Sequence, residues 1–290
     1  MVPSLRERVV EGSEEEILDA AHSIQKGVDA ARADDTKNLK VVVLRWITPP
    51  GQALQPPLYP DQKRTRGFKH PRTGELLCPV EYDWKDPEIR RQLKEDLLVP
   101  SGDSWPILLY ADFVYDPDDP WKGLFRSSLL VKAFKHIFTS PSSANEYRND
   151  DKSVPKSGNA RIHGMMEVTR ASIAYVAMQL RFSLCTANMF SRNDKLTDSG
   201  RFYDSIMELL EDEDEQAEVE ELLEWWNGQV FPGWSRIAVR KPASENSPLA
   251  KIRKARALKK AAEAQAIAAG ETTVIPAAPK VYVIDDSDVE

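Results

Sequence analysis

Between Thr169 and Cys185 the chain carries two apolar stripes on one helical segment. Ile173, Val176, Leu180 and Leu184 form the first, and Tyr175, Met178, Phe182 and Cys185 form the second. A helix that is apolar on two faces has to be enclosed on both, so it belongs at the centre of a multi-helix core. Thr169 is the natural cap before it. Around this segment the alternation expected of strands is weak throughout, and the remaining apolar positions recur at helical spacing. The fold class this predicts is all-α: one domain of about seven helices with long loops, spanning about residues 13–235. No internal repeat is evident.

The other helices can be placed from their start and stop signals. Ser13 followed by Glu16 has capping-box spacing, and Ile17, Leu18, Ala21, Ile24, Val28 and Ala31 recur at helical intervals to about Ala33. Asp34, Asp35 and Thr36 offer caps for a second helix carrying Leu39, Val42, Val43 and Trp46, which Pro49 and Pro50 end. This predicts a helical hairpin. Residues 49–87 are rich in proline and poor in pattern, with Thr73-Gly74 reading as a turn and Leu76 to Pro79 as an apolar anchor. Asp86 before Pro87 starts a helix to about Leu98. Ser104-Trp105-Pro106 suggests a further helix through Leu109, and Asp119-Pro120 another, with Leu130, Phe134 and Phe138 on one face. Residues 139–160 read as a polar loop. Helices at about 200–210 and 214–227 follow, and Phe231 and Trp234 close the domain. The division expected is a helical domain over 1–240 and a charged, mostly disordered tail over 241–290.

Charge narrows the function classes. The chain has 39 Lys and Arg against 46 Asp and Glu, a formal net charge of −7, which excludes a uniformly basic protein that coats DNA. Its two cysteines, Cys78 and Cys185, cannot build a disulfide framework. No signal peptide and no stretch of about 18 apolar residues is present, so neither export nor a membrane partner is expected. Phosphate-binding glycine loops, an H-E-x-x-H pair and a Gly-x-Ser-x-Gly elbow are all missing. The acidic group Asp112, Asp116, Asp118 and Asp119 does not line up as a calcium loop and reads as a turn before a capped helix. The chain is therefore expected to be a non-enzymatic protein with no cofactor and no metal site.

Four features remain as candidate interaction sites. The loop from Lys63 to Arg72 holds Lys63, Arg64, Arg66 and Lys69 around Phe68, a pattern in which cations neutralise phosphates while an aromatic stacks on a base. The plainer reading, a solvated surface loop with Phe68 tucked into the core, is preferred. Ten carboxylates from Glu208 to Glu224 crowd one helix pair, and a solvated face is the simpler account. Downstream, Arg240, Lys241, Lys251, Arg253, Lys254, Lys259 and Lys260 resemble a two-part nuclear localisation signal, which makes the nucleus the expected location and the cytoplasm the alternative.

The fourth feature is the C-terminus. Val281, Tyr282, Val283 and Ile284 followed by Asp285, Asp286, Ser287 and Asp288 resemble a SUMO-interacting motif. A short β-branched strand adds to an exposed sheet edge, and the acids orient it against a basic rim. Ser287, three residues before Glu290, fits an acidophilic kinase site. SUMO or SUMO-conjugated proteins are thus expected partners beside an unknown protein partner. Nucleic-acid binding through residues 63–72 and 251–260 is the rival reading.

Long phrases also carry a family resemblance: ARADDTKNLK, RGFKHPRTGELLCPVEYDW, GLFRSSLLVKAFKHIFTSPSSA, SGNARIHGMMEVTRASIAYVAMQLRFSL and RFYDSIMELLED. They resemble an uncharacterised domain family of mushroom-type basidiomycete fungi, over about residues 13–235. The resemblance implies a fungal origin and a genuine domain; it assigns no activity and no site residue.

Overall fold

The computed structural model describes residues 10, 12–144, 158–187, 198–231, 254 and 256. The chain divides into a unit of residues 1–234 and a second of 235–290. The first unit is all-α, as expected. Among the described residues there is no strand, only two isolated bridges, Pro79 with Pro106 and Tyr110 with Leu124. No helix among them is long and apolar enough to cross a membrane.

Helix α1 runs unbroken from Glu14 to Ile47, 34 residues or about 50 Å. Its start is the capping box anticipated at Ser13 and Glu16. The hairpin is corrected: Asp34, Asp35 and Thr36 do not break the helix. The side chains of Asp35 and Thr36 are taken up across the core instead, since Tyr175 donates to Asp35 at 2.7 Å and Thr36 donates to Gln179 at 3.0 Å, while Asp34 is exposed. With no proline between Ser13 and Pro49, nothing interrupts the backbone ladder.

Helix α2 spans Pro71–Leu77 with His70 as its cap. Thr73-Gly74 is therefore helical, not a turn. A Cβ at Gly74 would fall inside the Trp84 ring, so this glycine serves close packing. Helix α3, Pro87–Lys94, starts as predicted, with Asp86 accepting from the Glu88 amide at 2.8 Å, and it stops short of Leu98. Two expected helix starts give only turns. After Pro106 only two short 3-10 turns form, Ile107–Leu109 and Ala111–Phe113, because Asp112 and Phe113 take positive φ. After Pro120, Gly123 and Phe125 are also left-handed, so α4 begins only at Ser128 and runs to Phe134, capped by Ser127. A π-helical turn, Lys135–Thr139, continues it. The polar stretch after it contains a short helix α5, Asn159–His163, while residues 145–157 lie outside the described ones.

Helix α6, Arg170–Leu184, is the central element, with a reciprocal cap between Thr169 and Ser172. Both predicted stripes contribute to its burial: Ile173, Val176, Leu180 and Leu184 from one, Met178 and Phe182 from the other. Helices α1, α4 and α7 (Ser199–Glu211) pack around it, and α8 (Gln216–Val230) packs on α4 and α7. Trp226 is fully buried against Phe134, and its indole donates to the Phe125 carbonyl at 3.1 Å. The Asn227 side chain accepts from the Val168 amide at 2.8 Å, which fixes the entry to α6.

Candidate functional site

The basic loop is wound into two 3-10 turns, Lys63–Thr65 and Gly67–Lys69. In a 3-10 turn residues three apart eclipse one another, which puts Lys63 and Arg66 on one side and Arg64 on the other. The two inward cations meet the end of α6, where carbonyls lack helical partners and the helix dipole is negative. The Lys63 ammonium, 4% exposed, donates to the Phe182 carbonyl at 2.7 Å and sits 3.7 Å above the Phe182 ring centre. Burial pushes its pKa down to about 8. Arg66, fully buried, donates to Ser183 at 2.7 Å and to Lys40 of α1 at 2.8 Å, with longer bonds to Tyr59 and Pro60. Burial lowers its pKa as well. Arg72 performs the same service at the end of α1, its Nε donating to the Ile47 carbonyl at 3.2 Å.

This corrects the picture of a solvent-facing basic loop. Lys63 and Arg66 are enclosed and bonded to main-chain oxygens, out of reach of a phosphate. Phe68 is half-buried near Trp84, ring centres 6.3 Å apart. Only Arg64 and Lys69 of the five candidate residues are exposed. Counting charges along the loop could not distinguish these roles; the three-residue spacing of Lys63 and Arg66 was the available signal.

Beside the clamp lies a cavity of about 50 Å³, bordered by Phe68, Leu77, Pro100, Phe182, Cys185 and Ser199. It is water-sized, well below the several hundred Å³ of a small-molecule site. The Cys185 sulfur is 4.0 Å from the Lys63 ammonium, and its thiol donates to the Phe182 carbonyl at 3.0 Å. Cys78 is buried, and its thiol is pushed up to about 12 by burial, with Glu81 and Asp83 adding to the shift. Among the described residues no group of three or more His, Cys, Asp or Glu is placed to hold a metal ion.

A surface of another kind is carried by α1. Its inner end buries Leu39, Val43, Leu44 and Ile47. Along its outer half the apolar positions face solvent: Ile17 is 40% exposed, Leu18 60%, Ile24 51% and Val28 45%, with Ala20 the buried exception. The junction between the halves is the polar network of Asp35, Tyr175, Gln179 and Thr36. Burial raises the pKa of Asp35, against the hydrogen bond from Tyr175.

The acid-rich α7–α8 pair is mostly exposed and partly neutralised. Glu208 pairs with Arg201 at 2.6 Å, Glu221 with Arg126 at 2.8 Å, and Glu215 accepts from the Trp121 indole at 2.7 Å. Of the tail candidates, Lys254 is helical and exposed. Arg240, Lys241, Lys251, Arg253, Lys259 and Lys260 lie outside the described residues, as do Val281, Val283, Ile284, Asp285, Asp286 and Ser287.

Comparison with known proteins finds one family model, described as a family of unknown function (DUF6698), matching residues 26–231. No curated protein and no solved structure matches.

Proposed function

We propose that this chain, which belongs to the DUF6698 family of unknown function, is a non-enzymatic nuclear protein-interaction module. In this reading the helical domain presents the outer half of α1 to a partner. The C-terminal segment adds an import signal at 240–260 and a SUMO-type contact at 281–287. The observation that carries it is the exposure of Ile17, Leu18, Ile24 and Val28 along one helix, since contiguous exposed apolar surface marks interaction sites. For the C-terminal part the support is the pattern of β-branched residues and acids, and the run of basic residues.

The test is a nuclease-treated affinity purification from native cells, read by mass spectrometry. It compares the unaltered chain with Ile24→Asp and Ile284→Ala variants. Two distinct sets of lost partners, with SUMO conjugates missing only from Ile284→Ala, support the reading. Identical partner sets for all three sink it. Replacing Lys259 and Lys260 by Ala should shift a fluorescent fusion from nucleus to cytoplasm; an unchanged nuclear signal removes the localisation claim. The nucleic-acid alternative retains Arg64 and Lys69 as exposed candidates. It requires affinity that falls steeply with salt and that weakens when both are changed to Ala.

A further inference from the structure

Ile17, Ala21, Ile24, Val28 and Ala31 follow one another at intervals of four, three, four and three residues. That is the a/d spacing of a coiled-coil seam, and it falls wholly on the exposed half of α1. Gly27 lies beside the seam with no atom within 4 Å of where a Cβ would stand. A mid-helix glycine lowers helix stability, and no crowding in the described structure requires this one; it permits another backbone to come close. The charge of the segment is one-sided. Glu14, Glu15, Glu16, Asp19, Asp29 and Asp34 stand against Lys26 and Arg32, and Arg32 is paired with Asp29 at 3.2 Å.

A second copy of this chain fits the seam poorly. Sustained coiled coils run for about three to four heptads, whereas this seam covers two. Stable interfaces bury about 1,200 Å² or more, and two acidic segments brought together repel. A partner of opposite charge supplies the attraction that the short seam lacks. We infer that the outer half of α1 docks a cationic amphipathic helix, with Leu or Ile along one face and Lys or Arg on its flanks. This rests on the interaction-module reading and names the chemistry of its partner.

The test uses the full chain and three labelled 21-residue synthetic peptides, followed by fluorescence anisotropy. One has Leu and Ile at a and d with Lys and Arg elsewhere. The second keeps the apolar seam and carries Glu in place of the cations. The third keeps the cations and carries Ser at a and d. The first should bind at least ten-fold more tightly than either control, weaken with salt, and lose binding to an Ile24→Asp, Val28→Asp double variant. Both replaced side chains are exposed, so circular dichroism should show the variant folded. Equal binding of the first two peptides overturns the charge assignment and leaves the interaction module standing. Equal binding of the first and third reduces the effect to general electrostatics and overturns the docking face. Binding that the double variant does not alter overturns it too. If none binds, the partner class is wrong, and the affinity purification with Ile24→Asp then decides separately whether the module reading survives. A wild-type dimer in sedimentation that the double variant dissociates assigns the seam to a second copy and overturns the inference.

Discussion

The two halves of α1 have nearly the same grammar and opposite fates. Both carry β-branched and aliphatic residues at helical spacing, and both belong to one continuous helix. The inner half meets α6 and α4 and buries Leu39, Val43 and Ile47. The outer half leaves Ile17, Ile24 and Val28 exposed. Periodicity therefore reports that a face is apolar; it does not report that the same chain covers it. The energetic consequence is large, because stabilisation comes from area removed from water, and Ile17, Leu18, Ile24 and Val28 keep 40–60% of theirs, whereas Leu39, Val43 and Ile47 keep almost none.

Paired truncations measure that difference directly. Leu39→Ala should cost about 2–5 kcal/mol, the range for a deleted core side chain. Ile24→Ala should fall within about 0.5 kcal/mol of the unaltered chain. Urea denaturation of both variants checks this, and equal losses would mean that the outer half is covered in solution. A parallel contrast exists inside the basic loop. Arg66→Met removes the hydrogen bonds to Ser183 and Lys40; the Lys40 carbonyl keeps its helical donor within α1, while the Ser183 carbonyl, in the last turn of α6, loses the side chain that serves it. The substitution should cost about 2–3 kcal/mol, as expected for charge-assisted bonds. Arg64→Ala, two residues away and exposed, should cost about 0.5 kcal/mol or less.

Lys63 sharpens the contrast through pH. Its pKa lies near 8 in the folded chain against an ordinary 10.5, because burial disfavours the ammonium. Between those values the unfolded chain holds the proton and the folded chain does not, so this group's contribution to stability rises with pH across the window. Against Lys63→Met, the wild type should gain about 1–3 kcal/mol in relative stability from pH 8 to 10.5. Denaturant unfolding of the pair at several pH values reads it. A flat difference would show that the ammonium is solvated and that the α6 clamp is open.

How much of this was legible in the sequence divides along physical lines. The double stripe and cap of α6, the Asp86-Pro87 start of α3 and the Ser13–Glu16 box were legible because each rests on neighbours within a turn or two. Asp35 and Thr36 resemble caps because a cap and a tertiary hydrogen bond use the same side chains. Only Tyr175 and Gln179, some 140 residues on, show which of the two is made. The left-handed residues Asp112, Phe113 and Phe125 carry no local sign of their φ, so the turns after Pro106 and Pro120 looked like helix starts. In the basic loop, composition counts charge without direction, so Lys63 and Arg66 look as solvated as Arg64 and Lys69, and only the fold shows that they turn inward.

Gly27 gives the smallest effect and the finest test of the two halves. Ala there has open space around its Cβ and should raise the stability of the surrounding helix by about 0.5–1 kcal/mol. If the outer half frays independently of the core, the gain appears as slower amide exchange over residues 14–34 with an unchanged global transition. If the whole helix unfolds as one unit, the gain appears in the global transition instead. Docking moves the other way. A methyl at Gly27 hinders close approach of a second backbone, so Gly27→Ala should weaken the cationic peptide even as it firms the helix that binds it. A variant more stable and equally competent would show that the glycine marks only a weak point in the helix, and the seam would then act without close approach at that position.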